Sequence, residues 1–301
     1  AGERDLKRRI AMFDAGQWNE LLEESRRTAG HQPQKPQTEE SRLQQAEALI
    51  KQREISHAAR ALQSLDLAPG SQATLDELRN PQLRPEQPSE ELPAGLQEFA
   101  PAHPIELDKQ LFGDVLRQCR RGQSGGVFGS RYEYFKTCLE ENTSFDALFN
   151  VAQRLARADI PASIEDALRV SSMTTLLKPN MRIRGICAAD CLRRLVAKAL
   201  TQQKQTTLRN AVWPYNFGLS DRSGTDAAVH LLQYLTDEFP EKVVLSIDGI
   251  GAFDHVCRAR IFEQLLRQED LHSLVPFVRL WYATQSQFLW SDSEGVRHLI
   301  T

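Results

Sequence analysis

The chain has 301 residues, enough for one large domain or two small ones. Hydrophobic residues make up 41% and charged residues 26%, the composition of an ordinary soluble globular protein, and no apolar run is long enough to span a bilayer. The five cysteines form no CxxC pair. This argues against a zinc ribbon and a disulfide framework, and favours an intracellular, reducing compartment, nucleus or cytoplasm.

Residues 1–98 read as a helical region interrupted by Pro-rich linkers. Amphipathic segments predict helices at Leu6–Phe13, Trp18–Arg27, Thr38–Glu54 and Ser56–Leu65. Pro/Gln-rich and Pro-rich linkers cover 31–37 and 80–93. Two interpretations stay open for this region, a helical protein-interaction module and a flexible leader.

The mixture of helical and extended sequence patterns in residues 99–301 predicts an α+β domain. The predicted helices are Leu107–Cys119, Tyr132–Leu139, Phe145–Ala158, Cys191–Arg209, Gly224–Glu238, His255–Arg267 and Leu274–Tyr282. Two extended runs around Pro179-Asn180 predict a β-hairpin, and a second hairpin is predicted at Phe288–Ile300. The short apolar run Val243–Ile247 predicts a buried strand that ends at Asp248.

Charge is distributed unevenly along the chain, although the net charge is only −3. Between Arg169 and Gly224 there are ten Lys or Arg residues and two acids, which gives +8 for that stretch. The segment Arg117–Lys136 adds five bases against Glu133. Such one-sided stretches favour contact with a polyanion, although solvated helix faces also carry Lys and Arg.

The segment Ser246–Asp254, Ser-Ile-Asp-Gly-Ile-Gly-Ala-Phe-Asp, is the most informative for chemistry. A carboxylate at the end of a buried strand is rigidly placed yet faces water, as a divalent-cation ligand requires. A dinucleotide-binding loop is disfavoured because Asp254 stands where GxGxxG needs its third glycine. Taken alone, Asp248 could equally cap the helix that follows.

Several motifs in order resemble the reverse transcriptase family, of the non-LTR retrotransposon type. Leu176-Leu-Lys-Pro179 with Arg182-Ile-Arg-Gly-Ile186 is similar to the fingers signature. Asn216-Phe-Gly218 with Ser223-Gly-Thr225 is similar to the next signature, and Asp248 with Ala252-Phe-Asp254 to the first palm motif. The resemblance spans Leu107 to Thr301. It implies partial fingers and the start of a palm in residues 99–301, preceded by the helical region 1–98.

The resemblance also implies roles for individual residues. Asp248 would be catalytic and, with the Gly249 carbonyl, would bind Mg²⁺ or Mn²⁺. Lys178 and Arg184 would grip the triphosphate of the incoming nucleotide. The side chain implied to select deoxynucleotides is Phe253, with Ala252 lining the same pocket and Asp254 supporting the turn. The implied partners are an RNA template, a DNA primer and deoxynucleoside triphosphates, and no membrane.

The sequence departs from the family at several positions. Gly185 replaces the usual proline of the fingers signature, and Gly125–Gly129 stands in the place of a G-P-D-G-like turn. The family's QG-containing loop and paired-aspartate hairpin do not occur. One carboxylate cannot hold two cations, so we expect a truncated RNA-directed DNA polymerase that is inactive by itself. The alternatives are a non-catalytic remnant that binds nucleic acid and a protein-interaction module in residues 1–100.

Overall fold

The structure is a computed structural model that describes residues 2–28, 38–51, 53–63, 65–83, 91–218, 223–247 and 256–301. It contains both helices and a sheet, which confirms the predicted α+β class. By contacts the chain divides into two compact units. The N-terminal unit comprises Ala1–Leu75, Thr175–Arg184 and Ser291–His298, and the main unit comprises Asp76–Thr174, Gly185–Trp290 and Leu299–Thr301. The predicted boundary between residues 98 and 99 stays a prediction.

The helices occupy most of the described chain. They are α1 Gly2–Asp14, α2 Trp18–Thr28, α3 Glu39–Lys51, α4 Ile55–Leu62, α5 Gln72–Arg79, α6 Lys109–Gln118, α7 Tyr132–Thr137, α8 Asn142–Ala156, α9 Ala162–Arg169, α10 Cys191–Gln203, α11 Gln205–Val212, α12 Gly224–Glu238, α13 Arg258–Arg267 and α14 Val275–Tyr282. Short 3₁₀ helices span Cys138–Glu140 and Glu269–Leu274. The sequence did not predict α5 or α9, and the single helix predicted over 191–209 is broken at Lys204, whose backbone leaves the helical conformation.

The described residues form a four-stranded sheet in the order β2-β1-β3-β4. The strands are β1 Ser171–Leu177, β2 Ile183–Ala188, β3 Phe288–Ser291 and β4 Arg297–Ile300. Both hairpins predicted from the sequence are present. β1 and β3 run parallel, with Ser171 beside Phe288 and Ser172 beside Leu289. Alternate residues of β1 are buried, the period-2 pattern of a strand with one covered face.

The N-terminal unit contains two helical pairs. In the first pair, Gly16 makes the turn between α1 and α2, and the rings of Phe13 and Trp18 meet edge to face at 4.2 Å. In the second pair, α3 packs on α4 with the small residues Ala46 and Ala58 buried. Small side chains allow two helix backbones to approach closely, so little apolar side-chain area is needed to hold this pair.

The main unit is built around one large apolar core. Its members come from α6, α7, α8, α10, the second 3₁₀ helix and α14. Phe112 on α6 is fully buried. Its ring stacks on Phe145 of α8 at 6.2 Å and meets Phe149 of α8 edge to face at 5.9 Å. Arg279 connects α14 to the segment that precedes α6. Its guanidinium donates hydrogen bonds to the carbonyls of Leu96, Gln97 and Phe99.

Candidate functional site

The β1–β2 hairpin positions the two predicted triphosphate ligands, Lys178 and Arg184. The Lys178 amide donates to the Arg182 carbonyl at 2.9 Å, and the Met181 amide donates to the Lys178 carbonyl at 2.8 Å. Met181 adopts φ +62°. A type I turn followed by a left-handed residue is a recurrent three-residue hairpin loop, and Pro179 suits its second position. Local sequence therefore accounts for the turn that separates the two cations.

Lys178 and Arg184 are both exposed, and so is Arg182 between them. Within the described part of the chain, no acidic side chain lies within ion-pair distance of these three cations. Exposed cations without a carboxylate neighbour keep their charge available to an external anion. The hairpin can therefore present three positive charges to phosphate groups.

Gly185 lies inside β2, next to Met173 of β1. A Cβ atom on Gly185 would lie 3.3 Å from the Met173 sulfur, so a side chain there would have to displace the thioether. The glycine that replaces the family's proline is therefore explained by its close packing against the buried Met173 side chain.

The basic stretch Arg169–Gly224 is less available than its sequence predicted. Arg169 is neutralised by Glu165 and Asp166 at 2.7 and 3.0 Å, two acids just before the counted stretch. On α10, the Arg193 guanidinium lies 4.2 Å from the centre of the Trp281 ring, and burial lowers the pKa of Arg193. Arg194 donates to the Ser124 carbonyl. Arg169, Arg193 and Arg194 are therefore engaged in contacts within the protein. The number of exposed positive charges in this stretch is smaller than the sequence count suggests.

The glycine turn at 122–130 packs against the start of α10. Gly126 has φ +67°, and a Cβ on it would lie 2.8 Å from the Asp190 Cα. Asp190 caps α10 by accepting from the Leu192 amide at 2.8 Å. Burial raises the pKa of the Asp190 carboxyl, against the opposing effect of its amide donors. The glycines here are explained by close backbone approach.

The two halves of the signature that follows the fingers signature, Asn216-Phe-Gly218 and Ser223-Gly-Thr225, meet in the structure. Gly224 is buried at the start of α12, and a Cβ on it would lie 1.7 Å from the Phe217 carbonyl oxygen. Only glycine permits such an approach. The Asn216-Phe-Gly218 turn and the small-residue pair at 223–225 are therefore a packed unit, which explains their spacing in the sequence.

Five predicted site residues, Asp248, Gly249, Ala252, Phe253 and Asp254, lie outside the described residues. The segment just before them contradicts a prediction. Residues 243–247 form no strand, and their apolar side chains are exposed, Val243 at 91% and Ile247 at 82%. The apolar run alone suggested burial, but no strand of the described chain lies beside it to pair with its backbone.

The described residues show no metal site and no membrane-spanning element. Among them, no three His, Cys, Asp or Glu side chains come together in a way that could hold a cation. Nor does any helix in the described ranges combine the length and apolarity that crossing a membrane requires. The cation ligands predicted from the sequence, Asp248 and Gly249, are not among these residues.

Sequence reasoning missed one exposed group, the aromatic residues that follow α11. The Arg209 guanidinium lies 6.0 Å from the centre of the Trp213 ring, and Trp213 meets Phe217 edge to face at 6.4 Å. Tyr215, between them, is 90% exposed. The Arg209–Trp213 spacing of four residues was a usable signal, because residues four apart are neighbours on a helix.

The chain was compared with models of protein families, with curated proteins and with solved structures, and none of the three comparisons finds a match.

Proposed function

We propose that the chain is part of an RNA-directed DNA polymerase of the reverse transcriptase type, with its fingers signature on the β1–β2 hairpin. The observation that supports the proposal is the exposure of Lys178 and Arg184 on one short hairpin. The order of the sequence motifs also supports the proposal. Exposed cations on a fixed backbone suit a triphosphate, and an arginine can bind it through two parallel hydrogen bonds.

In the proposed reaction, the primer 3′-hydroxyl attacks the α-phosphorus of a deoxynucleoside triphosphate and pyrophosphate leaves. Lys178 and Arg184 balance the negative charge of the leaving phosphates and hold them in line with the attacking oxygen. In the complete enzyme, Asp248 and the Gly249 carbonyl would help to hold Mg²⁺ or Mn²⁺, whose charge would activate the hydroxyl. By the resemblance, Phe253 with Ala252 would contact the sugar and reject a 2′-hydroxyl, and Asp254 would have a supporting role.

The direct test is nucleotide binding by the 301-residue chain in Mg²⁺, measured with radiolabelled dTTP. We expect Lys178→Ala and Arg184→Ala each to weaken dTTP binding about tenfold, because one charge-assisted contact contributes roughly 1.5 kcal/mol or more. Lys51→Ala is the matched control, because Lys51 is an exposed cation at the end of α3. Phe253→Val should reduce the preference for dTTP over the ribonucleotide.

The proposal fails if the chain binds no triphosphate, or if the two hairpin variants bind dTTP as tightly as the Lys51→Ala control. Retained RNA and DNA binding in that case would favour a non-catalytic remnant whose remaining property is nucleic-acid affinity. Loss of both activities in a folded chain would remove the polymerase interpretation of the motifs.

A second candidate function is protein interaction through residues 1–98, and exposed apolar side chains favour it. On the α1–α2 pair, Ile10, Phe13 and Trp18 are each half exposed, and on the α3–α4 pair Ile50 and Ile55 are exposed. Large apolar side chains at neighbouring surface positions are typical of protein contacts. Phe13→Ser with Trp18→Ser should abolish partner crosslinking in cells, while Lys178→Ala should leave the crosslinks unchanged.

A further inference from the structure

A small cavity in the main unit combines apolar walls with three polar side chains. Its volume is about 290 Å³, just below the ~300–1,000 Å³ that is typical of sites for drug-sized ligands. Ile105 and Pro276 are buried in its lining, whereas Pro104 and Arg157 are exposed, so the cavity opens to solvent. A ligand of this cavity is therefore smaller than a drug molecule and can enter from the surface.

Contacts within the main unit hold the cavity walls in place. The ring of Phe99, which lines the cavity, meets the His272 ring edge to face at 5.3 Å. The Ile105 carbonyl accepts hydrogen bonds from the Gln153 amide at 2.9 Å and from the Arg157 guanidinium at 3.0 Å. A ligand would therefore order few side chains on entering, and little of its binding free energy would be lost to reorganisation.

Two of the three polar side chains are cations, Arg157 and Arg279, and the described lining contains no Asp or Glu. The Nη1 atom of Arg279 donates to three backbone carbonyls, and these neutral acceptors do not cancel the charge of the guanidinium. Arg157 lies 3.5 Å from the carboxylate of Glu106, whose side chain is 86% exposed. Exposed ion pairs of this kind are weak. The cavity therefore favours an anion.

The third polar side chain is Ser273, on the second 3₁₀ helix. Its Oγ atom is buried and has no hydrogen-bond partner among the described residues. A buried hydroxyl without a partner costs free energy, and a ligand oxygen in the cavity would recover it. This hydroxyl is therefore an observation, independent of the two arginines, that indicates a ligand with oxygen atoms.

We infer that this cavity binds a small carboxylic acid in its ionised form, with the carboxylate held by the two arginines and the Ser273 hydroxyl and the apolar body packed against the Phe99 ring. Arginine binds carboxylates through two parallel hydrogen bonds, and aromatic rings pack favourably on one another. Inorganic phosphate would match the cations but not the apolar walls. The inference goes beyond the proposed polymerase, because the cavity includes neither the β1–β2 hairpin nor the Asp248 segment.

Titration of para-fluorophenylacetate into the full chain, followed by fluorine NMR, tests the inference. We expect Arg157→Met to weaken binding about tenfold, the loss of one charge-assisted hydrogen bond. Glu106→Gln removes the competing carboxylate and should tighten binding about twofold. Arg154→Met is the matched control, because Arg154 is an exposed arginine of α8 that pairs with Asp159 at 3.0 Å and does not line the cavity. This control should bind like the wild type.

Ser273→Ala separates ligand binding from folding. It should weaken para-fluorophenylacetate binding about threefold. Its midpoint of thermal unfolding should equal or exceed that of the wild type, because the hydroxyl has no partner within the described protein. The neutral para-fluorophenylacetamide, which has the same shape, should bind the wild type at least about tenfold more weakly than the acid.

The inference is overturned if the folded chain does not bind para-fluorophenylacetate, if the amide or inorganic phosphate binds as tightly as the acid, or if Arg157→Met and Ser273→Ala bind the acid like the Arg154→Met control. Lys178→Ala should bind the acid like the wild type, and Ser273→Ala should bind dTTP like the wild type. Either proposal can therefore fail without the other.

Discussion

Two helices of the main unit, α12 and α14, show how similar sequence patterns reach different environments. Both are rich in apolar residues, and both were predicted as helices from the sequence. On α14, Val275, Phe277 and Leu280 are buried. On α12, only Gly224 is buried, and Leu231, Leu232 and Leu235 remain exposed. Periodicity predicts the helix, but burial requires a partner surface, and the sequence of a helix does not supply one.

The segment 243–247 extends the contrast to strands. Val243-Val-Leu-Ser-Ile247 is at least as apolar as β1, yet β1 is paired on both sides and has a buried face, while 243–247 is exposed. A strand is stabilised by neighbouring backbone and by packing on its faces. The apolar content of a segment therefore indicates that it needs a packing partner, but it does not identify the segment that provides one.

The largest effect that would test this contrast is expected in the core of the main unit. Phe112→Ala removes a fully buried ring that packs on Phe145 and Phe149, and we expect it to lower the free energy of unfolding by about 3–5 kcal/mol. Leu245→Ala removes a 77% exposed side chain and should change it by less than about 0.5 kcal/mol. Urea denaturation followed by circular dichroism measures both. A comparable loss in Leu245→Ala would mean that the segment is covered in solution.

An intermediate effect is expected at Gly224, the buried residue of α12. Gly224→Ala places a methyl group against the Phe217 carbonyl, and overpacking of this kind costs roughly 1–3 kcal/mol. We expect faster amide hydrogen exchange across α12 and unchanged exchange in α10.

Gly218→Ala is the control for Gly224→Ala, because a Cβ on Gly218 would meet its nearest neighbour, the Asn216 side-chain oxygen, at an ordinary 3.6 Å. Uniformly unchanged exchange in Gly224→Ala would show that the contact between Gly224 and the Phe217 carbonyl does not stabilise α12.

The smallest effect is expected at Asp190, the cap of α10. Asp190→Ala removes the acceptor for the Leu192 amide and should cost about 1 kcal/mol. Asp190→Asn keeps an acceptor. Because burial raises the pKa of Asp190 in the folded chain above its ordinary 3.8, the stability that it contributes is present below pH 3.8 and is lost as the pH rises through the folded value.

The stability of Asp190→Asn relative to the wild type should therefore increase between about pH 4 and neutrality. Thermal unfolding across this range measures the difference. A constant difference would show that the carboxyl titrates in the folded chain as it does in the unfolded chain.

Much of the local structure was predictable from particular residues. Pro179-Asn180 marked the first hairpin, the apolar spacing of Gly224–Glu238 marked α12, and the exposure of Lys178 and Arg184 agrees with charges next to a turn. The helices α5 and α9 were not predicted, although each spans eight residues, as do α4 and α14, which were predicted. The break at Lys204 was also not predicted; in the folded chain the Lys204 side chain donates to the Asp270 carbonyl, 66 residues away in sequence.

Sequence alone determined the class of elements, the hairpin turn and the ordered motifs on which the proposed polymerase function rests, because these depend on residues within one or two turns of each other. Tertiary structure decided which charged and apolar side chains are exposed to solvent and which make contacts within the protein. It engaged Arg169, Arg193 and Arg194 in contacts within the protein, and among the described residues it gave the apolar run at 243–247 no strand to pair with. The contacts among Arg209, Trp213 and Phe217 are local in sequence, but only the structure shows that Tyr215 is 90% exposed. The contacts of Arg193 with Trp281 and of Arg194 with Ser124 join segments far apart in sequence, and only the folded chain brings those segments together.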